Sequence, residues 1–218
     1  MRLKASIVAC AALAVAALAP ALAQAGIVNG SFEENLDGWT ANEDLVQVPG
    51  ISFHRDAGGV ADHRYDPVSG DFFAVLTPDA QDVTTLLRQT FTTRGGVFGG
   101  WAAFLGEDTS PFNDFGYVRI VDAASGVGVF STSLFAAGIG TVGDYGFTPW
   151  TSFSTRLAAG RYTVEAGATN VGDGSMPSYL LVDSFSLSEV PEPAAWLLML
   201  AGFFGLGAML RRRRSALA

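Results

Sequence analysis

Carboxylates, amides and aromatic rings are the side chains of this 218-residue sequence best placed to do chemistry. In the stretch from Trp101 to Ile120, Asp108, Asn113 and Asp114 bring oxygen donors close to Pro111 and Phe112. Hard oxygens of this kind hold calcium, or they hydrogen-bond sugar hydroxyls while a ring such as Trp101 or Phe112 offers a stacking face. The same residue types also build ordinary turns in which Asp and Asn bond their own backbone, and the two readings stand side by side. His54 and His63 flank Arg55, Asp56, Asp62 and Arg64, a set that suggests a metal or acid–base site. Their spacing fits no helical zinc motif, and a solvated polar loop is the expectation. No Gly-x-Ser-x-Gly elbow, His-Glu-x-x-His pair or phosphate-cradling glycine loop occurs. Carboxylates are numerous enough for the two-carboxylate chemistry of a glycosidase, but nothing singles out one pair.

Positioning these residues falls to short segments rich in β-branched and aromatic residues and separated by Gly, Asp, Pro or Ser. Strands are predicted at Leu45 to Val48, Phe72 to Leu76, Thr84 to Thr92, Phe98 to Leu105, Tyr117 to Val121, Gly128 to Phe135, Thr151 to Leu157, Arg161 to Ala168 and Tyr179 to Leu187. A further strand is expected near Ile27 to Phe32. This many short strands without a long helical period predict an all-β, two-sheet β-sandwich of jelly-roll type. In the last strand, alternation puts Asp183 on the face of Tyr179, Leu181, Phe185 and Leu187. A carboxylate there needs a cation, backbone donors or the rim of the sheet.

Both ends carry signals of another kind. Arg2 and Lys4 precede an apolar stretch from Ile7 to Leu22, and Ala23, Gln24 and Ala25 supply a small-x-small site, so residues 1–25 read as a signal peptide cut by signal peptidase. Cys10 is the only cysteine; most of the apolar core follows it, which argues against a lipobox, and the mature chain has no disulfide or thiol chemistry. Between the ends, seven arginines and no lysine stand against 20 acidic residues, a formal charge of −13. Such a surface excludes nucleic acid as a partner and suits either solubility outside the cell or calcium. At the far end Pro191, Glu192 and Pro193 precede an uncharged apolar run over 194–210, followed at once by Arg211, Arg212, Arg213 and Arg214. The run is long enough to span a membrane, and the arginines fix its end in the cytoplasm with the bulk of the chain outside.

This tail, residues 190–218, resembles the PEP-CTERM sorting signal, which implies an inner-membrane-anchored precursor, an exosortase that cuts near the triplet, and delivery to the cell surface or extracellular matrix. Residues 26–189 form one extracytoplasmic domain. Its opening, Asn29, Gly30, Ser31, Phe32 and Glu33 with Gly38 and Trp39, resembles galactose-binding-like carbohydrate-binding modules, as does its closing Leu181, Val182, Asp183, Ser184 and Phe185. The stretch after Trp101 also resembles a loop of exported bacterial adhesion and choice-of-anchor domains. The resemblance to galactose-binding-like modules implies a structural calcium joining the first strand, an early turn and the last strand, with Glu33, Asp71 and Asp183 as its ligands. The leading expectation is a non-enzymatic surface or matrix component associated with exopolysaccharide and binding carbohydrate. The alternative is an exported polysaccharide hydrolase.

Overall fold

The computed structural model describes residues 26–43, 45–53, 63–122, 131–189 and 199–204. The strands in chain order are β1 (Thr40–Ala41), β2 (Val46–Val48), β3 (Ile51–Phe53), β4 (His63–Tyr65), β5 (Phe73–Leu76), β6 (Thr84–Thr93), β7 (Gly96–Leu105), β8 (Phe115–Asp122), β9 (Ser131–Gly138), β10 (Thr151–Leu157), β11 (Gly160–Thr169) and β12 (Tyr179–Glu189). One helical turn, α1 (Ile139–Val142), follows β9. The first sheet has the order β1-β6-β11-β8-β9 and the second β10-β7-β12-β5-β2, all neighbours antiparallel, while β3 and β4 pair by themselves. Every strand expected from Leu45 onward is present; residues 128–130 of the Gly128 to Phe135 expectation lie outside the described residues.

The two sheets differ in what covers them, and the sequence shows why. Strands of the second sheet are apolar on both sides: Ala74, Leu76, Phe104, Leu180 and Val182 face the core between the sheets. Phe73, Val75, Ala103, Leu105 and Leu181 make a second cluster with Tyr65, against which Ile51 and Trp150 pack, so this outer face is roofed. Burying both faces requires near-continuous apolar runs, as in Phe73–Leu76. Strand β6 alternates instead: Thr85, Leu87, Gln89, Phe91 and Thr93 are buried, and the positions between them face out. Its neighbours follow, with Val118, Ile120, Val164, Ala166 and Ala168 inside.

Three expectations are corrected. Residues 27–32 form no strand: Phe32 N–H donates to the Asn29 carbonyl in a turn, and Asn29 and Phe32 have positive φ. The Gln89 amide takes the place of a neighbouring strand, accepting from Val28 N–H at 2.8 Å and donating to the Val28 carbonyl at 2.9 Å. The alternation of β12 breaks at a bulge between Asp183 and Ser186, where Ser184 has φ 54°. Asp183 therefore shares the outer side with Leu181, whereas Phe185 turns into the central core beside Trp39, Phe98 and Phe153. His63, expected in a polar loop, lies in β4 with its ring 4.2 Å from that of Phe147 and 4.4 Å from that of Tyr65. His54, Arg55, Asp56 and Asp62 lie outside the described residues.

The expected signal peptide (1–25), Pro191, Glu192, Pro193 and Arg211 to Arg214 also lie outside the described residues, as does most of the expected 194–210 span. Residues 199–204 are helical with Met199, Leu200, Phe203 and Phe204 exposed. Among the described residues no helix is long and apolar enough to cross a membrane.

Candidate functional site

The outer face of the first sheet, uncovered among the described residues, carries an organised row of polar side chains. Cross-strand register aligns Thr40 with Arg88, Arg88 with Glu165, Glu165 with Arg119, and Arg119 with Ser133, one residue from each of the five strands. Directly opposed residues in antiparallel strands point to the same side, so register alone puts Glu165 between two guanidinium groups. Arg88 Nε donates to Glu165 Oε2 at 2.5 Å, Arg119 Nε to Oε1 at 2.8 Å, and the Tyr117 hydroxyl to Oε1 at 2.9 Å. Glu165 is 5% exposed while the arginines are about half exposed (45% and 40%), so the carboxylate forms a floor under two cations.

Electrostatics fix the protonation states. Burial by itself raises the Glu165 carboxyl, but hydrogen bonds from Arg88 and Tyr117 and the charges of Arg119 and Arg88 outweigh it and hold the group below its usual range. Tyr117 is pushed up to about 12 by burial first and then by its bond to Glu165, so it remains a phenol that donates. Its ring lies against Gly167, where a Cβ would come within 2.6 Å of it, so only glycine leaves the ring this place. Phe115, 38% exposed, sits beyond Tyr117 with ring centres 6.4 Å apart and an interplanar angle of 27°, and the Arg119 guanidinium lies 5.1 Å from the Tyr117 ring centre. On the other side of the Arg–Glu–Arg row an open depression of about 450 Å³ is lined by Thr40, Arg88, Thr90, Val121, Thr163 and Glu165. From Phe115 to Val121 the platform runs about 20 Å at the usual strand rise, long enough for an extended chain of rings.

The sequence reading did not single out this site. The signal was there: Phe115, Tyr117 and Arg119 alternate along one strand, as do Thr163 and Glu165 along another, but only the register joins them. Of the residues it did single out, Asn113, Asp114 and Phe112 come together at one end of the sandwich, where they tie loops. Asn113 Oδ1 accepts from Gly140 N–H at 2.6 Å, Asp114 accepts from Val171 at 2.7 Å and Ser178 at 3.0 Å, and Phe112 packs at Gly172. Asp108 Oδ1 accepts from Thr109 N–H at 2.6 Å. Trp101 stands elsewhere, opposite Asp183 in the β7–β12 register.

Glu33 and Asp183 both reach the segment 68–72. Glu33 accepts from the N–H groups of Asp71 and Phe72 at 3.0 Å, and Asp183 Oδ2 accepts from Val68 at 2.7 Å and Ser69 at 3.2 Å. Gly70 has φ 71°, and a Cβ there would run into the Glu33 carboxylate. Asp183 is fully buried, and that burial, partly offset by its bonds from Ser69, Val68 and Ser184, pushes its carboxyl up to about 6. In this arrangement N–H groups occupy the two carboxylates, the Asp71 side chain is exposed, and among the described residues no three His, Cys, Asp or Glu side chains gather.

No protein-family model and no curated protein matches the chain. Among solved structures it is similar to a carbohydrate-binding module in complex with beta-1,4-galactotriose, at 15% identity over 76% of this chain and 99% of that one, with a TM-score of 0.47. It is also similar to a xylan-binding domain from Paenibacillus barcinonensis (12% identity, 78% and 99% covered, TM-score 0.39). A third is the K3 cleaved adhesin domain of Lys-gingipain from Porphyromonas gingivalis (15%, 76% and 100%, TM-score 0.42). No residue role is carried over from any of them.

Proposed function

We propose that this chain is an exported, non-enzymatic component of the cell surface or extracellular matrix whose jelly-roll-type sandwich binds polysaccharide on the outer face of its first sheet. The observation that carries the reading is the juxtaposition of the Phe115–Tyr117 rings with the Arg88–Glu165–Arg119 row on a sheet face that none of the described elements covers. Apolar ring faces matched to the C–H faces of sugars, with fixed donors beside them, are what saccharide recognition requires. A binding role is favoured over hydrolysis because a glycosidase needs two carboxylates in defined roles, one with a raised pKa. Among the described outward positions of β6, β8 and β11, Glu165 is the single carboxylate, and its pKa is lowered.

Affinity electrophoresis of the full chain in gels containing soluble polysaccharides, with a parallel assay for released reducing ends, tests this. Retardation by at least one polysaccharide without release is expected; release of reducing ends at a steady rate would replace binding by hydrolysis. Export by signal peptidase, anchoring in the inner membrane and sorting by an exosortase belong to the same proposal and rest on the terminal motifs. The calcium at Glu33, Asp71 and Asp183 is a separate proposal. It requires Asp71 and nearby backbone carbonyls to turn toward the two carboxylates.

A further inference from the structure

Resting on the polysaccharide-binding reading, we propose that the ligand is an anionic saccharide, one whose carboxylate or sulfate is gripped by Arg88 and Arg119. In a domain of formal charge −13, three of its arginines fall on this one face. Arg88 and Arg119 flank Glu165, and Arg161 stands on the same side of β11, in register with Thr92 of β6. Against them, among the described outward positions of β6, β8 and β11, is one carboxylate, and both of its oxygens are engaged: Oε2 accepts from Arg88, and Oε1 accepts from Arg119 and from Tyr117.

What remains available as charge is therefore positive. Arg88 is held through Nε alone, and its two terminal nitrogens carry no hydrogen bond among the described residues. Arg119 uses Nε and one terminal nitrogen on Glu165, leaving the other. The hydroxyls nearby are engaged with each other, Thr90 with Thr163 and Thr84 with Thr169, both at 2.8 Å. These hydroxyls keep lone pairs for a neutral sugar, but the free guanidinium nitrogens of Arg88 and Arg119 are charged donors that gain most from a charged acceptor. A carboxylate or sulfate only accepts, and the planar guanidinium fork matches it. Anchoring each arginine to a buried carboxylate fixes the fork in advance, which lowers the entropy lost on binding. The remote negative charge of the domain opposes this only weakly, because it is screened beyond about 8 Å at physiological ionic strength.

The test compares charged and neutralised forms of one backbone. Polygalacturonate, alginate and hyaluronate are each titrated into the full chain beside their methyl esters, with dextran sulfate beside dextran. At least one charged form should bind about tenfold or more tighter than its neutral partner, as loss of a charge-assisted hydrogen bond implies. Arg88→Gln should bring that ratio close to one, Arg88→Lys should leave it intermediate, and Arg156→Gln on β10 of the other sheet should leave it unchanged. If Arg88→Gln does not fold, the wild-type ratios decide. Equal affinity for charged and neutral forms overturns the anionic class while leaving polysaccharide binding intact, and binding to none of the panel or to any neutral glycan overturns both.

Discussion

Two buried carboxylates, Glu165 and Asp183, are held in opposite electrostatic states, and the difference is testable by acid. Among the described residues Asp183 faces backbone N–H groups and no cation, and burial raises its carboxyl to about 6. The folded chain thus takes up a proton that the unfolded chain does not bind between about pH 4 and 6, so this group's contribution to stability falls as pH rises through that window. Melting temperatures measured from pH 4 to 7 should show that downward slope in the wild type relative to Asp183→Asn; parallel curves would contradict the assignment. Glu165 behaves in the reverse sense, because its lowered carboxyl stabilises the fold above the ordinary glutamate range and that contribution is lost as the pH falls through its folded value. At this scale the sequence was half legible. Alternation marked Asp183 as a carboxylate among apolar residues, whereas nothing local marks Glu165, whose partners are 77 and 46 positions away.

At the scale of elements, the strands were legible because their composition and punctuation are local properties, and the exceptions arise where a single side chain replaces a strand partner or a bulge shifts the alternation. Gln89, a polar residue on the inward side of β6, supplies the backbone partners of Val28; no periodicity argument reveals that. One left-handed serine, Ser184, sends Phe185 inward and leaves Asp183 outward. The junction of Glu33 with the 68–72 segment depends on Gly70, so Gly70→Ala should cost about 2 kcal/mol through its positive φ and the crowded carboxylate. Because both act through one contact, combining it with Glu33→Ala should cost clearly less than the sum, as read from urea unfolding. Additive costs would mean that the contact does not hold the junction. The calcium proposal is decided at the same place: chelator should lower the melting temperature of the full chain if the ion is bound. Identical melting with calcium and with chelator would leave the N–H donors as the whole account of Asp183.

For the molecule as a whole, among the described residues one sheet face is open and one is roofed, which leaves one broad side for the proposed long, flexible ligand. On the proposed reading of the terminal motifs, that side lies outside the cell. In a host carrying an exosortase, Glu192→Ala should leave several-fold more full-length precursor in the inner membrane than wild type, scored by immunoblot of fractionated cells, and equal processing would contradict the sorting role. The measurement that reaches the central claim most directly uses two phenylalanines of nearly equal exposure on different parts of the surface, Phe115 at 38% beside Tyr117 and Phe147 at 37% beside His63. Binding of the full chain to the best-retained polysaccharide should weaken by about 1 kcal/mol, roughly fivefold in Kd, in Phe115→Ala, since stacking area is lost from the proposed platform. Phe147→Ala should bind like the wild type. Unchanged affinity in Phe115→Ala, or an equal loss in Phe147→Ala, would contradict the assignment of the first sheet's outer face as the binding surface.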